Sequence, residues 1–271
     1  MIATFAEKVT SILGQNSIGV KAIRPFYSYC LDRFVGNRGL AWTVNNQPLK
    51  IDPRVRHLIP KTNEPELFNF LMTNIKPGHT VLDVGSFLGT YAVFAARWAG
   101  PEGKVIAFEP TKANHTIISK HLQFNDVQDR VRLIKAAVGD RAGVAEFCHY
   151  AEPYMNRVLG PKKDIKALSV TKIPLVTLDA ICDESGLIPD WIRMDVQGLE
   201  FDVLKGARNI IKSGRGRLRI VAEMHPQIWP ELGINENMAM SILDELNLRC
   251  RPLEADGKLF EPDGHVLMEC V

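Results

Sequence analysis

Residues 81–90 read Val81-Leu82-Asp83-Val84-Gly85-Ser86-Phe87-Leu88-Gly89-Thr90. An apolar run enters a turn with two glycines, and a stretch of helical character follows. Short apolar runs bounded by turn residues read as buried strands. The stretch is therefore a strand, a turn and a helix in succession. Ligands of open α/β sheets bind beyond the carboxyl ends of strands, where such turns lie. Gly85 lets the backbone turn and approach a ligand closely, and Gly89 lets the helix pack near the strand. The pattern is not the Gly-x-Gly-x-x-Gly of a dinucleotide site, because Asp83 stands in place of the first glycine.

Working outward, the next signal is Val105-Ile106-Ala107-Phe108-Glu109-Pro110. Glu109 ends a second strand, where an acidic residue can accept hydrogen bonds from both hydroxyls of a ribose. Pro110 stops the strand. A third run, Ile134-Lys135-Ala136-Ala137-Val138-Gly139-Asp140, follows a third strand. Small residues at Ala136 and Ala137 leave room for a flat adenine. Asp140 either accepts from its exocyclic amine or caps a turn. A carboxylate at Asp83 repels a pyrophosphate, whereas a sulfonium amino acid with its cationic ammonium tolerates or uses one.

The wider pattern is one of alternation. Apolar runs fall at 80–84, 105–108, 131–134, 191–194 and 218–222, with helical stretches at 88–99 and 112–124. Strands alternating with helices form a parallel sheet with helices on both faces. Asn63 reads as the N-cap of a helix that starts at Pro65 and ends before Pro77-Gly78. Near the end, a helix at 236–246 precedes strands near 249–253 and 265–270, a closing antiparallel hairpin. Residues 1–60 form an N-terminal extension, with helices over 3–14 and 20–35 and a hairpin turning at Asn45-Asn46. Residues 61–271 form the main domain. The stretch 148–170 breaks the alternation; it reads either as a lid over a substrate or as a surface loop.

Composition narrows the function classes. A formal net charge of +2 among 271 residues argues against a dedicated nucleic-acid binder. Residues 1–60 hold eight Lys/Arg against three acids; the plain reading is a solvated surface, the sharper one a contact face for an anionic substrate or a membrane surface. No run is apolar enough to span a bilayer. The five cysteines, Cys30, Cys148, Cys182, Cys250 and Cys270, show no Cys-x-x-Cys or zinc-like spacing and read as reduced thiols. A cytoplasmic protein is expected.

These motifs resemble the FkbM-type methyltransferases, a branch of the class I S-adenosylmethionine-dependent enzymes. The resemblance runs from about Asn63 to the C-terminus. It rests on Asp83-Val84-Gly85 with Gly89, Phe108-Glu109-Pro110, Ala136-Ala137-Val138-Gly139, Val176-Thr177-Leu178-Asp179, Ile192-Arg193-Met194-Asp195-Val196-Gln197-Gly198-Leu199-Glu200, Val203-Leu204-Lys205-Gly206-Ala207 and Glu223-Met224-His225. It implies a Rossmann-like domain with a mostly parallel seven-stranded sheet and an antiparallel C-terminal strand. It also implies S-adenosylmethionine as methyl donor, with Asp83, Gly85, Ser86 and Gly89 on its methionine end and ribose. Glu109 would take the ribose diol, Pro110 would shape the wall, and Glu64 would lie close by. The family usually reads Asp-Val-Glu-Gly-Ala-Glu after the fourth strand, whereas Gln197 stands here for the first Glu and Leu199 for Ala. Gln donates and accepts hydrogen bonds but cannot act as a base.

Methyl transfer is an in-line displacement, and aligning nucleophile, methyl and sulfur is its main demand. A hydroxyl nucleophile must also lose its proton. Asp195 ends one strand, and Glu223 and His225 end another, so these three are the expected catalytic residues. His225 is the base by its ordinary pKa. The same three side chains offer oxygen and imidazole ligands, but no spacing demands a metal and none is assigned. The expected acceptor is a hydroxyl of a sugar, glycolipid or secondary metabolite. Amine or carboxylate methylation and a non-catalytic adenosine-ligand module are the alternatives, and a nicotinamide-dependent oxidoreductase is disfavoured by Asp83.

Overall fold

The computed structural model describes residues 35–160 and 166–270. The helices expected over 3–14 and 20–35 fall almost wholly outside these residues. Two compact units divide the chain, meeting between Asn63 and Glu64. In the first, β1 (Leu40–Val44) and β2 (Gln47–Ile51) pair antiparallel. The turn is Asn45-Asn46, both at positive φ, as a two-residue hairpin requires and Asn tolerates. The Asn45 side chain accepts from the Asn63 backbone N–H at 3.0 Å and donates to its carbonyl. That ties down the residue expected to cap the next helix.

The second unit begins with α1 (Pro65–Asn74). Its N-cap is Glu64 and not Asn63. Glu64 stands in the left-handed region at φ 40° and makes no side-chain capping bond. Pro65 does occupy the first turn. The main sheet contains β3 (Thr80–Val84), β4 (Lys104–Phe108), β5 (Val131–Ile134), β10 (Trp191–Met194), β11 (Arg219–Met224), β12 (Leu248–Pro252) and β13 (Gly264–Cys270), in the order β12-β13-β11-β10-β3-β4-β5. Strands β3, β4, β5, β10 and β11 run parallel, and β13 lies antiparallel between β11 and β12. This is the mostly parallel seven-stranded Rossmann-like sheet expected of a class I methyltransferase.

Helices α2 (Thr90–Trp98), α3 (Lys112–Phe124), α4 (Leu178–Ser185), α5 (Glu200–Lys205), α6 (Arg208–Ser213) and α7 (Glu236–Glu245) flank it. Every residue of β3 is buried, as in a central strand covered on both faces. On one side Phe68 meets Phe94 and Trp98 edge-on, with ring centroids 4.8 and 5.1 Å apart. On the other, Leu82, Ile106, Ile192 and Ile220 join Phe201, Leu204 and Trp229 in one apolar cluster.

Strands enter the stretch 148–170 at both ends and at 157–158. Strands β6 (Ala137–Val138), β7 (Gly143–His149), β8 (Arg157–Val158) and β9 (Ser169–Val176) form a second sheet, in the order β6-β9-β7-β8. Ladder pairing across seven positions, from Gly143↔Leu175 to His149↔Ser169, holds β7 to β9. Such non-local pairing leaves little trace in local periodicity when one sheet face is wet: Val144 and Val170 are exposed.

Candidate active site

The strand order reverses between β3 and β10, since β4 and β5 lie on one side of β3 and β10 and β11 on the other. Crevices form at such points beyond the carboxyl ends of the strands. Gly85 opens the turn after β3 at φ +80°, and a β-carbon there would come within 1.9 Å of the Asp195 carbonyl oxygen. The two strand ends close on each other only because that carbon is missing.

Asp83 is almost wholly buried, at 1% exposure. Its Oδ2 accepts from Ser86 Oγ at 2.6 Å. Its Oδ1 has no hydrogen-bond partner; among the described residues, Arg193 Nε is the other such buried side-chain atom. Burial pushes the Asp83 carboxyl pKa up, against the pull of Arg193. Arg193 comes from the neighbouring β10, in register with Asp83. It donates to the Gly85 carbonyl at 3.2 Å, stands 3.5 Å from both Asp83 and Asp195, and stacks on Tyr91 with 4.5 Å to the ring centroid. Burial disfavours its charge, yet Asp83, Asp195 and Glu64 hold its pKa above the ordinary value. A lone charge in the apolar run Trp191-Ile192-Arg193-Met194 was the sequence signal for it, because a buried charge persists only when paired.

Glu109 sits at the end of β4, 4% exposed. Its Oε2 accepts from the Phe87 N–H at 2.9 Å; its Oε1 accepts from the Thr111 N–H at 2.7 Å and Asn114 Nδ2 at 3.2 Å. Burial outweighs these donors and pushes its pKa up to about 7. A carboxylate offers about four acceptor positions, so Oε2 keeps one for a ligand hydroxyl. Both Glu109 and Pro110 line a cavity of about 670 Å³, its open mouth included. Its floor is the ends of β3, β4 and β10, including Gly85 and Asp195, and Ala136 and Ala137 flank it. Pro153 and Tyr154, in a 3-10 turn ahead of β8, and Arg157 of β8 form its other wall.

Other expected residues fall elsewhere. Ser86 is buried under Asp83, and Gly89 caps α2 with its α-carbon against Ile118. Asp140 is exposed, pairs with Arg141 at 3.2 Å and does not line the cavity. Glu64 lies on the opposite side of Arg193. It accepts from the Tyr91 hydroxyl at 2.8 Å and contacts His265 Nε2 at 3.3 Å. Although burial opposes it, the His265 hydrogen bond and the Arg193 charge hold its pKa low. His265 reaches on to Glu254 at 2.8 Å. Nothing in the local sequence marked His265 or Tyr91; the sheet's far edge and α2 bring them in.

The remaining three candidates gather past β10 and β11. His225 is 1% exposed. Its Nε2 stands 3.8 Å from Asp195 and 3.9 Å from Glu223. Its Nδ1 lies 2.7 Å from Glu200 Oε1. Glu200 is completely buried; it also takes the Gly198 N–H at 2.9 Å and the Trp229 indole N–H at 3.1 Å. From sequence Glu200 reads first as a pair on a helix surface and Arg193 has no role, whereas both are buried here, in the motif around the end of the fourth strand. Burial lowers the His225 pKa, but Glu200 and Asp195 overcome it and raise it. Burial and the charges of Asp195 and Glu64 push the Glu223 carboxyl far up, toward its neutral form.

Ligand atoms of Asp195, Glu223 and His225, and of Glu64, Glu223 and His265, lie within 4.8 Å of one another. That spacing suits a cation. However, Gln197 Nε2 already stands 2.9 Å from His225 Nε2, and both His265 nitrogens face carboxylates. The arrangement is a hydrogen-bonded cluster, and no metal is assigned to it.

The fold implies S-adenosylmethionine, and the residues fit it. Asp83, buried with its Oδ1 3.5 Å from Arg193, places a carboxyl group at the end of β3 where an ammonium end would lie, and the open position on Glu109 suits a ribose hydroxyl. The glycine turn at Gly85 keeps side chains out of the crevice, and the small Ala136 and Ala137 suit a flat base.

Comparison with known proteins finds distant likenesses and one family match. "Methyltransferase sdnD" of Sordaria araneosa is 23% identical over 163 residues, which cover 50% of this chain and 62% of that relative's length. The solved methyltransferase FkbM of Methylobacillus flagellatus is 16% identical with a TM-score of 0.48, covering 70% of this chain and 43% of that one. An O-methyltransferase of Bacillus cereus, solved with S-adenosylhomocysteine, is 13% identical with a TM-score of 0.47 over the full length of both chains. The profile of the methyltransferase FkbM domain matches residues 83–250, more than half of the chain, and the protein belongs to that family.

Proposed function

We propose that the protein transfers the methyl group of S-adenosylmethionine to a hydroxyl of a small molecule or glycan. The observation that carries this reading is the Glu200–His225 pair beside the Asp83–Glu109 cradle. A buried imidazole backed on Nδ1 by a buried carboxylate, with its Nε2 among Gln197, Asp195 and Glu223, is built to take a proton. When bound, S-adenosylmethionine supplies an electrophilic methyl on a good leaving group. The protein's part is to align the acceptor and remove its proton. Asp83 and Glu109 hold the donor, and Glu200 fixes the ring of His225. Asp195 and Glu223, at the rim, orient the acceptor; Glu223 in its neutral form donates a hydrogen bond. Sugars, glycolipids and hydroxylated secondary metabolites present the groups this rim suits. The basic N-terminal stretch is the proposed contact with an anionic surface. Cys182, Cys250 and Cys270, none of them in a disulfide, fit a reducing cytoplasm. Among the described residues no helix is long and apolar enough to cross a membrane.

Calorimetric titration with S-adenosylmethionine, S-adenosylhomocysteine and NAD tests the donor. Binding of the first two and not NAD is expected; the reverse would sink the reading. Labelled methyl transfer to a panel of hydroxyl, amine and carboxylate acceptors tests the rest. Turnover only on amines or carboxylates would overturn the hydroxyl assignment.

A further inference from the structure

Gln197 occupies the turn between β10 and α5 with φ at +52°, a region that residues other than glycine seldom enter. That backbone aims the side-chain amide between two groups. Its Nε2 stands 3.1 Å from Asp195 Oδ1 and 2.9 Å from His225 Nε2. A carboxylate only accepts, so the amide end facing Asp195 is the NH2. One hydrogen goes to Asp195, and the second points at His225 Nε2, which must offer it a lone pair. The ring proton is then on Nδ1, where Glu200 Oε1 accepts it at 2.7 Å. Glu200 is held in place by the Gly198 and Trp229 donors, so the whole chain of bonds has one consistent set of proton positions.

We propose that Gln197 is a positioning residue that keeps His225 neutral, with its proton on Nδ1, and yields its place on Nε2 to the acceptor hydroxyl. This inference rests on the methyltransferase reading and deepens it. In the transfer, the acceptor oxygen bonds to the methyl carbon as the carbon–sulfur bond breaks and leaves its electron pair on sulfur. The hydroxyl proton passes to His225 Nε2, and the imidazolium so formed keeps donating to Glu200 through Nδ1. The charges facing the ring favour the imidazolium: Glu200 on α5 at 2.7 Å, Asp195 after β10 at 3.8 Å and Asp263 ahead of β13 at 4.0 Å; Glu223 on β11, at 3.9 Å, is pushed toward its neutral form. A donor on Nε2 opposes them. Without it the ring would be protonated before any acceptor arrived.

The test is nitrogen-15 NMR of the full chain labelled at histidine, with S-adenosylhomocysteine added, alongside the variants Gln197→Glu and Gln197→Ala. In the wild-type chain at pH 8, His225 should be neutral and protonated at Nδ1. Gln197→Glu places a fourth carboxylate at Nε2 and should raise the His225 pKa by about one unit or more. The acid limb of the pH–activity profile should move up by the same amount. Gln197→Ala should raise the pKa less; should Gln197→Glu fail to fold, this variant and the wild-type spectrum decide. A proton on Nε2 in the neutral wild-type ring, or titration unchanged in both variants, would overturn the proposal. Calorimetry separates the two layers. Failure of the wild-type chain to bind S-adenosylhomocysteine defeats the methyltransferase reading, and the NMR outcome defeats or supports the role of Gln197.

Discussion

The two halves of the crevice are made differently. The β3–β4 end is built of backbone turns and single carboxylates, each within a few residues of its strand. Glu109 is satisfied by Phe87, Thr111 and Asn114, and the donors Phe87 N–H and Thr111 N–H are backbone groups of adjacent turns. At the β10–β11 end, His225, Glu200, Gln197, Glu223 and Asp195 act through one another, and Asp263 and Trp229 join from more distant segments. The first end is a shaped receptacle that tolerates neighbours' variation. The second is an electrostatic network whose members set each other's protonation, so a change to one alters the rest. Donor binding and methyl transfer should therefore separate cleanly under mutation.

The largest expected effect is on the network alone. His225→Asn should cut turnover on the order of 10²–10⁴-fold, the usual share of a general base, with S-adenosylhomocysteine affinity unchanged by calorimetry; equal loss of both would erase the distinction. Gly85→Ala attacks the seam where the two ends touch. A β-carbon 1.9 Å from the Asp195 carbonyl, in a left-handed turn, should cost about 3 kcal/mol or more, read by chemical denaturation. A wild-type midpoint would show that the strand ends can part without penalty.

Glu109→Gln should weaken S-adenosylhomocysteine binding about tenfold, the worth of one hydrogen bond to a charged group. The same residue gives a pH test. Burial holds its pKa at about 7, above the ordinary carboxylate range. Above pH 7 both oxygens accept; as pH falls through 7 one becomes a donor, and affinity should drop. In Glu109→Gln that pH dependence should vanish. The smallest effect belongs to Asp140→Ala. With Asp140 exposed and paired only to Arg141 among the contacts described, affinity should stay within about twofold, the range of surface substitutions. A larger loss would extend the donor site beyond the cavity walls.

What could be read along the chain follows the same division. The strand–turn–helix at 81–90, the acid after β4 and the parallel alternation depend on neighbours in sequence, and each appears at its expected place. The antiparallel closing hairpin was legible from its turn residues, and Asn45-Asn46 from the left-handed tolerance of Asn. The N-cap slipped from Asn63 to Glu64 because Asn63 is engaged by Asn45, eighteen residues away. The sheet over β6–β9 went unread because its pairing joins strands through a long excursion and exposes apolar residues on one face.

In the crevice, Asp83, Gly85 and Glu109 could be placed from sequence because each belongs to a strand end or to the turn that follows it. Arg193 announced itself only as a charge in an apolar run, and its meaning, a bridge between Asp83, Asp195 and Glu64, needed the register of β3 against β10. Asp195, Glu223 and His225 were placed on a rim by the strand count, but the sequence had no means of telling that Glu200 holds the ring and Gln197 its outer nitrogen. Which atom of an imidazole carries the proton depends on donors and acceptors within about 3 Å, and those come from a turn and a helix start that meet His225 only once β10 and β11 are side by side.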